Sequence, residues 1–130
     1  MEITMKPIGT VHTDALSVPN HWTVSDVEGT LIIDDFYREG LMGIEPGDRI
    51  VVIFHFHKSR PFTPQDLTQH PRGDVTREKR GVFDICSPVR PNPIGMSVLT
   101  VTGINEAIIS VKGLDMLDGT VILDIKPYHG

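Results

Sequence analysis

The stretch Arg49 to His57, RIVVIFHFH, places Ile50, Val52, Phe54 and Phe56 on one face and Val51, Ile53, His55 and His57 on the other. A side-chain period of two is what an extended strand against a core requires, and the Pro46-Gly47-Asp48 turn marks where this one begins. No stretch sustains a helical period; Thr63 to Gln69 offers a turn or two. Gly29 to Ile33, Ser97 to Thr102, Ala107 to Lys112 and Thr120 to Lys126 are short, β-branched and bounded by Gly, Asn, Asp or Pro, with weaker candidates at Pro7 to His12 and Gly81 to Ile85. Short strands joined by short turns leave unpaired edges unless the sheet curls up. The predicted fold is therefore all-β, a small closed or nearly closed barrel with little helix.

A chain of 130 residues has the usual size of one domain with one core, so residues 1–130 are expected to form a single domain. No apolar run is long enough to span a membrane, and the start MEITMK lacks the apolar centre of a signal peptide, so the expected location is the cytoplasm. Cys86 is the single cysteine, which excludes an internal disulfide and a multi-cysteine zinc site. The net charge of −5 argues against a protein that coats nucleic acid by bulk charge. The charge is uneven, however. From Lys58 to Arg90 there are seven Lys and Arg against four Asp and Glu, as a solvated loop or a localised site for an anionic partner would have. The part from Lys58 to Arg80 reads as one long basic loop, and loops of that length are usually functional or disordered.

Ser87 to Gly95, SPVRPNPIG, packs three prolines around an arginine and an asparagine. Each proline fixes its own φ and pushes the preceding residue toward extended backbone, which pre-sets Ser87, Arg90 and Asn92. A loop so stiff is either a preorganised site or a rigid corner. The pair His55 and His57 is two ligands short of a metal site, and a packed or substrate-facing pair is favoured over one. There is no phosphate-binding glycine loop, nucleophile elbow or dinucleotide fingerprint. In Gly113 to Tyr128, GLDMLDGTVILDIKPY, Asp118-Gly119 reads as a tight turn. On the strand that follows, strict alternation puts Asp124 and Lys126 on the face of Ile122, where a carboxylate and an ammonium form a pair or a ligand site.

The segments RGVFDICSPVRPNPIGMSVLTV and GLDMLDGTVILDIKPY, preceded by PIG at Pro7 to Gly9, resemble the TsaA-like, or TrmO, family of S-adenosylmethionine-dependent tRNA methyltransferases over nearly the whole chain. The resemblance implies a small β-barrel, usually a homodimer, that binds S-adenosylmethionine and N6-methylates threonylcarbamoyl-adenosine beside the anticodon of tRNA. It implicates His57, Lys58, Ser87, Arg90, Met96, Leu117, Asp118, Gly119 and Thr120 in holding the cofactor. Asp118 would accept from ribose hydroxyls or the cofactor ammonium, and Arg90 would grip a carboxylate or an RNA phosphate.

For catalysis the candidates are Asp124 as base or hydrogen-bond acceptor, ahead of Asp118, with Lys126 and Tyr128 orienting the threonyl or carbamoyl group. Arg60, Arg72, Arg77, Arg80 and Asn92 are candidates for RNA contact, and Phe54, Phe83 or Tyr128 for stacking on a base. Cys86 stands where the family pattern has a basic residue, and longer members carry a further C-terminal region. The alternatives are a barrel methyltransferase with another acceptor, a non-catalytic S-adenosylmethionine-binding regulatory module, and a metal-dependent barrel built on the two histidines.

Overall fold

The computed structural model describes residues 1–129. The strands in chain order are β1 (Gly9–His12), β2 (Glu28–Ile33), β3 (Arg49–His55), β4 (Thr68–Gln69), β5 (Arg80–Gly81), β6 (Ile94–Asn105), β7 (Ile108–Lys112) and β8 (Val121–Pro127). Five short 3-10 segments are the only helical turns among the described residues. None is long and apolar enough to cross a membrane. Two compact units are distinguished, Met1–His55 with the chain from Met96 onward, and Phe56–Gly95.

Six strands close the barrel in the order β1-β2-β7-β6-β3-β8. The pairings β1 with β2 and β8, β2 with β7, β3 with β8, and β6 with β7 are antiparallel. Closure removes the free edges that short strands would otherwise expose. The period-two pattern decides what fills the interior: Ile50, Val52 and Phe54 of β3 are buried, as are Val11, Leu31, Leu99, Val101, Ile109, Val111 and Ile122 from the other barrel strands. Each such side chain contributes roughly 1.5–3 kcal/mol by leaving water. Gly29 admits no side chain, because a Cβ there would stand 2.5 Å from the His12 carbonyl oxygen and 2.5 Å from Leu114 Cδ1.

Within Phe56–Gly95 the expected basic loop is instead ordered by local structure. Thr63 opens a 3-10 turn at Pro64–Leu67 with a capping box to Asp66, and β4 pairs with β5 through Thr68 opposite Gly81 and Gln69 opposite Arg80. Only Gly81 of the Gly81 to Ile85 candidate is strand, since Val82–Asp84 turns as a 3-10 segment that buries Val82. β6 begins earlier than its β-branched run suggests, at Ile94, so the end of the proline loop is already extended.

Candidate functional site

In the barrel unit, the Asp118-Gly119 turn leads from the β7–β8 connection into β8. Gly119 has φ +84°, which a residue with a Cβ adopts only under strain. The turn is closed by Thr120, whose N–H and hydroxyl both donate to the Leu117 carbonyl at 3.1 and 2.6 Å. It is also stitched to β1: Gly119 N–H donates to Val11 O at 2.8 Å, and Val11 N–H to Thr120 O at 2.9 Å. Asp118 Oδ1 accepts the Thr13 N–H and lies near His12 Nδ1, each at 3.0 Å, with about half of either side chain exposed. The result is a carboxylate fixed in direction at the surface, the geometry that hydroxyl or ammonium groups of a ligand need. Met96 is exposed and Leu117 half-buried.

Strand β8 corrects the expected facing. A β-bulge falls where Ile53 pairs with Asp124 and Phe54 with Ile122, so Leu123 is the extra residue. The bulge resets the alternation. Ile122 and Ile125 oppose the buried Phe54 and Val52, whereas Asp124 and Lys126 oppose Ile53 and Val51 on the outer face. The two charges therefore do not share a face with Ile122. They pair with each other, Nζ to Oδ2 at 2.8 Å, with about half or more of each side chain exposed. Asp124 Oδ1 also accepts the Ile125 N–H at 2.9 Å. His55, opposite Val121, lies on the same outer face.

A second feature of this unit gave no signal as a motif. The 3-10 turn Trp22–Val24 is pinned to the barrel at its far side: Ser25 Oγ donates to Leu114 O, and the N–H groups of Gly113 and Leu114 both donate to Val27 O. Beneath it, the hydroxyl of the fully buried Ser97 donates to Asp115 Oδ1. Burial pushes the Asp115 carboxyl up; the Ser97 hydroxyl, with smaller help from His21 and the Trp22 N–H, pulls the other way. A cleft of about 450 Å3 opens here, lined by Trp22, Ser25, Arg49, Val98, Thr100 and Lys112 among others. The Arg49 guanidinium stacks on Tyr128 at 4.7 Å and on Trp22 at 5.8 Å from the ring centroids.

In the Phe56–Gly95 unit, the proline loop is tied to its own backbone. Arg90 Nη1 donates to the carbonyls of Ile85 at 3.1 Å and Ser87 at 3.0 Å, and Ser87 Oγ accepts the Val89 N–H. Gln69 Nε2 bridges the carbonyls of Asp66 and Val89. Arg60 forms a two-pronged pair with Asp66 at 2.9 and 2.7 Å, and that carboxylate also accepts the Thr63 N–H and hydroxyl. Arg60 foremost, then the Thr63 N–H, holds the buried Asp66 carboxyl well below the usual carboxylate range. Arg80 pairs with Asp84. Arg72, at φ +54°, and Arg77 are exposed and form no salt bridge within 4 Å among the described residues, although the Arg77 charge acts on the Asp74 carboxyl; the exposed Asn92 side chain has no hydrogen-bond partner there. His57, Lys58, Phe83 and Cys86 are exposed. Phe54, by contrast, is buried in the barrel and presents no face to a base, which corrects the stacking expectation for it. Among the described residues no group of three or more His, Cys, Asp and Glu side chains is placed to hold a metal ion.

Comparison with known proteins gives these features a family context. The family profile described as the tRNA-methyltransferase O N-terminal domain matches residues 8–130. A Pyrococcus abyssi protein named "Probable S-adenosyl-L-methionine-binding protein" is 38% identical over 130 residues, covering 97% of this chain and 68% of that protein. The tRNA (adenine(37)-N6)-methyltransferase of Mus musculus is 39% identical over 91 residues, 70% of this chain and 21% of that protein. A crystal structure of TrmO from Pseudomonas aeruginosa superposes with a TM-score of 0.74 at 28% identity, over 99% of this chain and 57% of that one. The chain thus spans little more than half of the solved TrmO chain and about a fifth of the mouse protein.

Proposed function

Because the chain belongs to the tRNA-methyltransferase O N-terminal domain family, we propose that it binds S-adenosylmethionine and N6-methylates threonylcarbamoyl-adenosine next to the tRNA anticodon, as a cytoplasmic homodimer. The observation that carries the reading is the rigid Asp118 turn within a barrel of this family. In the barrel unit, backbone groups at Met96 and Leu117 to Thr120 hold the adenine and ribose, and Asp118 accepts from a ribose hydroxyl or the ammonium. From residues 56–95 the reading takes His57, Lys58, Ser87 and Arg90 as cofactor contacts, and Arg60, Arg72, Arg77, Arg80 and Asn92 as RNA contacts. Of these arginines, Arg60 and Arg80 already hold carboxylates in salt bridges, whereas Arg72 and Arg77 form none within 4 Å.

The chemistry is a displacement at carbon. Bound S-adenosylmethionine would supply an electrophilic methyl and its own leaving group to the N6 lone pair, and the residues of this chain would align the two and take the N6 proton. Asp124 is the assigned acceptor, paired at the surface with Lys126, while Lys126 and Tyr128 orient the threonyl carboxylate or the carbamoyl group. Little else is needed from the protein, because the sulfonium supplies the leaving group and the site's work is alignment.

One observation favours a second reading, a non-catalytic S-adenosylmethionine-binding module: the Pyrococcus relative, matched over most of its length, is named only for cofactor binding. Calorimetric titration with S-adenosylmethionine and S-adenosylhomocysteine tests what both readings share. Micromolar binding that Asp118→Ala weakens about tenfold or more is expected, and no binding at millimolar ligand would remove both.

A further inference from the structure

The cleft beneath Trp22 is not accounted for by the cofactor reading, since none of Leu117, Asp118, Gly119 or Thr120 lines it. It lies on the outside of the barrel. Thr100 and Lys112 are opposed in register, next to the inward pair Val101 and Val111, so both point outward, and the exposed Arg49 adjoins them in the lining. Its chemistry is specific. Trp22 offers a half-exposed aromatic face, Arg49 and Lys112 have no carboxylate partner among the described residues, and Thr100 adds a hydroxyl. Glu28 opposes Lys112 across the β2–β7 pairing without forming an ion pair with it. The turn that carries Trp22 is already fastened to the barrel, so little ordering remains to be done on binding.

An aromatic face beside a guanidinium and an ammonium suits a ligand that is planar at one end and anionic at the other. We infer that this cleft is a nucleotide subsite for single-stranded RNA, with a base stacked on Trp22 and the adjoining phosphate held between Arg49 and Lys112. Continuity along the surface supports RNA as the occupant. Arg49 stacks on Tyr128, which lies just past the end of β8 and two residues beyond Lys126, so the cleft adjoins the residues assigned to the methyl acceptor. A polynucleotide whose target adenosine lies at Lys126 and Tyr128 brings a neighbouring nucleotide to Trp22. The choice of RNA as ligand rests on the methyltransferase reading; the aromatic and cationic cleft does not.

Trp22 is the single tryptophan, so its fluorescence reports on the cleft directly. The full chain is titrated with a short single-stranded oligoribonucleotide that lacks threonylcarbamoyl-adenosine, in parallel with an acidic peptide of equal charge and with S-adenosylmethionine. Saturable quenching by RNA is expected, weakened about tenfold by Arg49→Gln and by Lys112→Gln separately, with unchanged S-adenosylmethionine affinity by calorimetry. Each substitution should also reduce the slope of log K against log salt by about 0.7, the value for one phosphate of a single strand. RNA quenching without any cofactor binding would sustain the cleft and remove the methyltransferase reading. Absence of RNA quenching, quenching indifferent to both substitutions, quenching by the peptide in preference to RNA, or quenching by the cofactor that both substitutions abolish would overturn the inference. Circular dichroism of the two variants guards against misfolding, and Lys112, being exposed, provides the test should Arg49→Gln perturb the barrel.

Discussion

Asp118 Oδ1 accepts the backbone N–H of Thr13, 105 residues away in the chain, so one carboxylate fastens the turn before β8 to the end of β1. Two consequences can be separated by substitution. Asp118→Asn keeps an acceptor for Thr13 and loses the charge, whereas Asp118→Ala loses both. In urea denaturation Asp118→Ala is expected to lower stability by about 1–2 kcal/mol and Asp118→Asn by less, as befits loss of a backbone hydrogen bond to a charged group. If the charge also meets the cofactor, both variants weaken S-adenosylmethionine binding alike. An asparagine that binds as tightly as the aspartate would mean that Asp118 only shapes the turn.

The Arg60–Asp66 pair makes the Phe56–Gly95 unit acid-sensitive. A carboxyl held below its usual value stabilises the fold at pH above that value, near 4, and the contribution is lost as pH falls through the depressed native one. The exposed position of Arg60 lets water screen the pair, which limits the size of the effect. Amide exchange at Thr63, whose N–H donates to Asp66, is expected to accelerate below about pH 4 and to be fast at all pH in Asp66→Asn. Protection unchanged down to pH 2 would contradict the assignment.

Asp115 has the opposite sign. Burial raises its carboxyl, so the neutral form suits the fold and the ionised form is penalised as pH rises above the usual carboxylate value. Asp115→Asn retains an acceptor for the Ser97 hydroxyl without the charge. The variant is expected to gain stability relative to the parent at pH 7 compared with pH 3, read as the difference in midpoint between denaturation curves at the two pH values. A gain that is equal at both would show that ionisation of Asp115 does not matter.

The barrel was legible in the sequence because its strands are half-covered, and period-two patterning in RIVVIFHFH and the β-branched runs reports that directly. The bulge at Leu123 was not, since an extra residue in β8 leaves no trace in a row of alternating apolar positions, and it moved Asp124 and Lys126 to the outer face. The order within Lys58 to Arg80 was hidden for another reason: it comes from side-chain to backbone bonds at Asp66, Gln69 and His70, which periodicity does not register. The proline loop's internal bonds were hidden too, since no periodicity marks Arg90 turning onto the Ile85 and Ser87 carbonyls. Arg49 and Lys112 come together because β3 and β7 flank β6 in the barrel, an order the sequence does not show; a lone tryptophan in a polar stretch was the cleft's one visible signal.

Methyl transfer is tested by following labelled methyl from S-adenosylmethionine into tRNA bearing threonylcarbamoyl-adenosine, with Asp124→Asn alongside. The Asp124–Lys126 pair is exposed, so removing it should change stability by less than about 1 kcal/mol, and any loss of activity is then chemical. Label is expected at N6 of that nucleoside with the parent, at a rate at least about a hundredfold lower with Asp124→Asn, and with equal cofactor binding by both. Cofactor binding with no label transferred by the parent chain would contradict methyl transfer and leave a binding module.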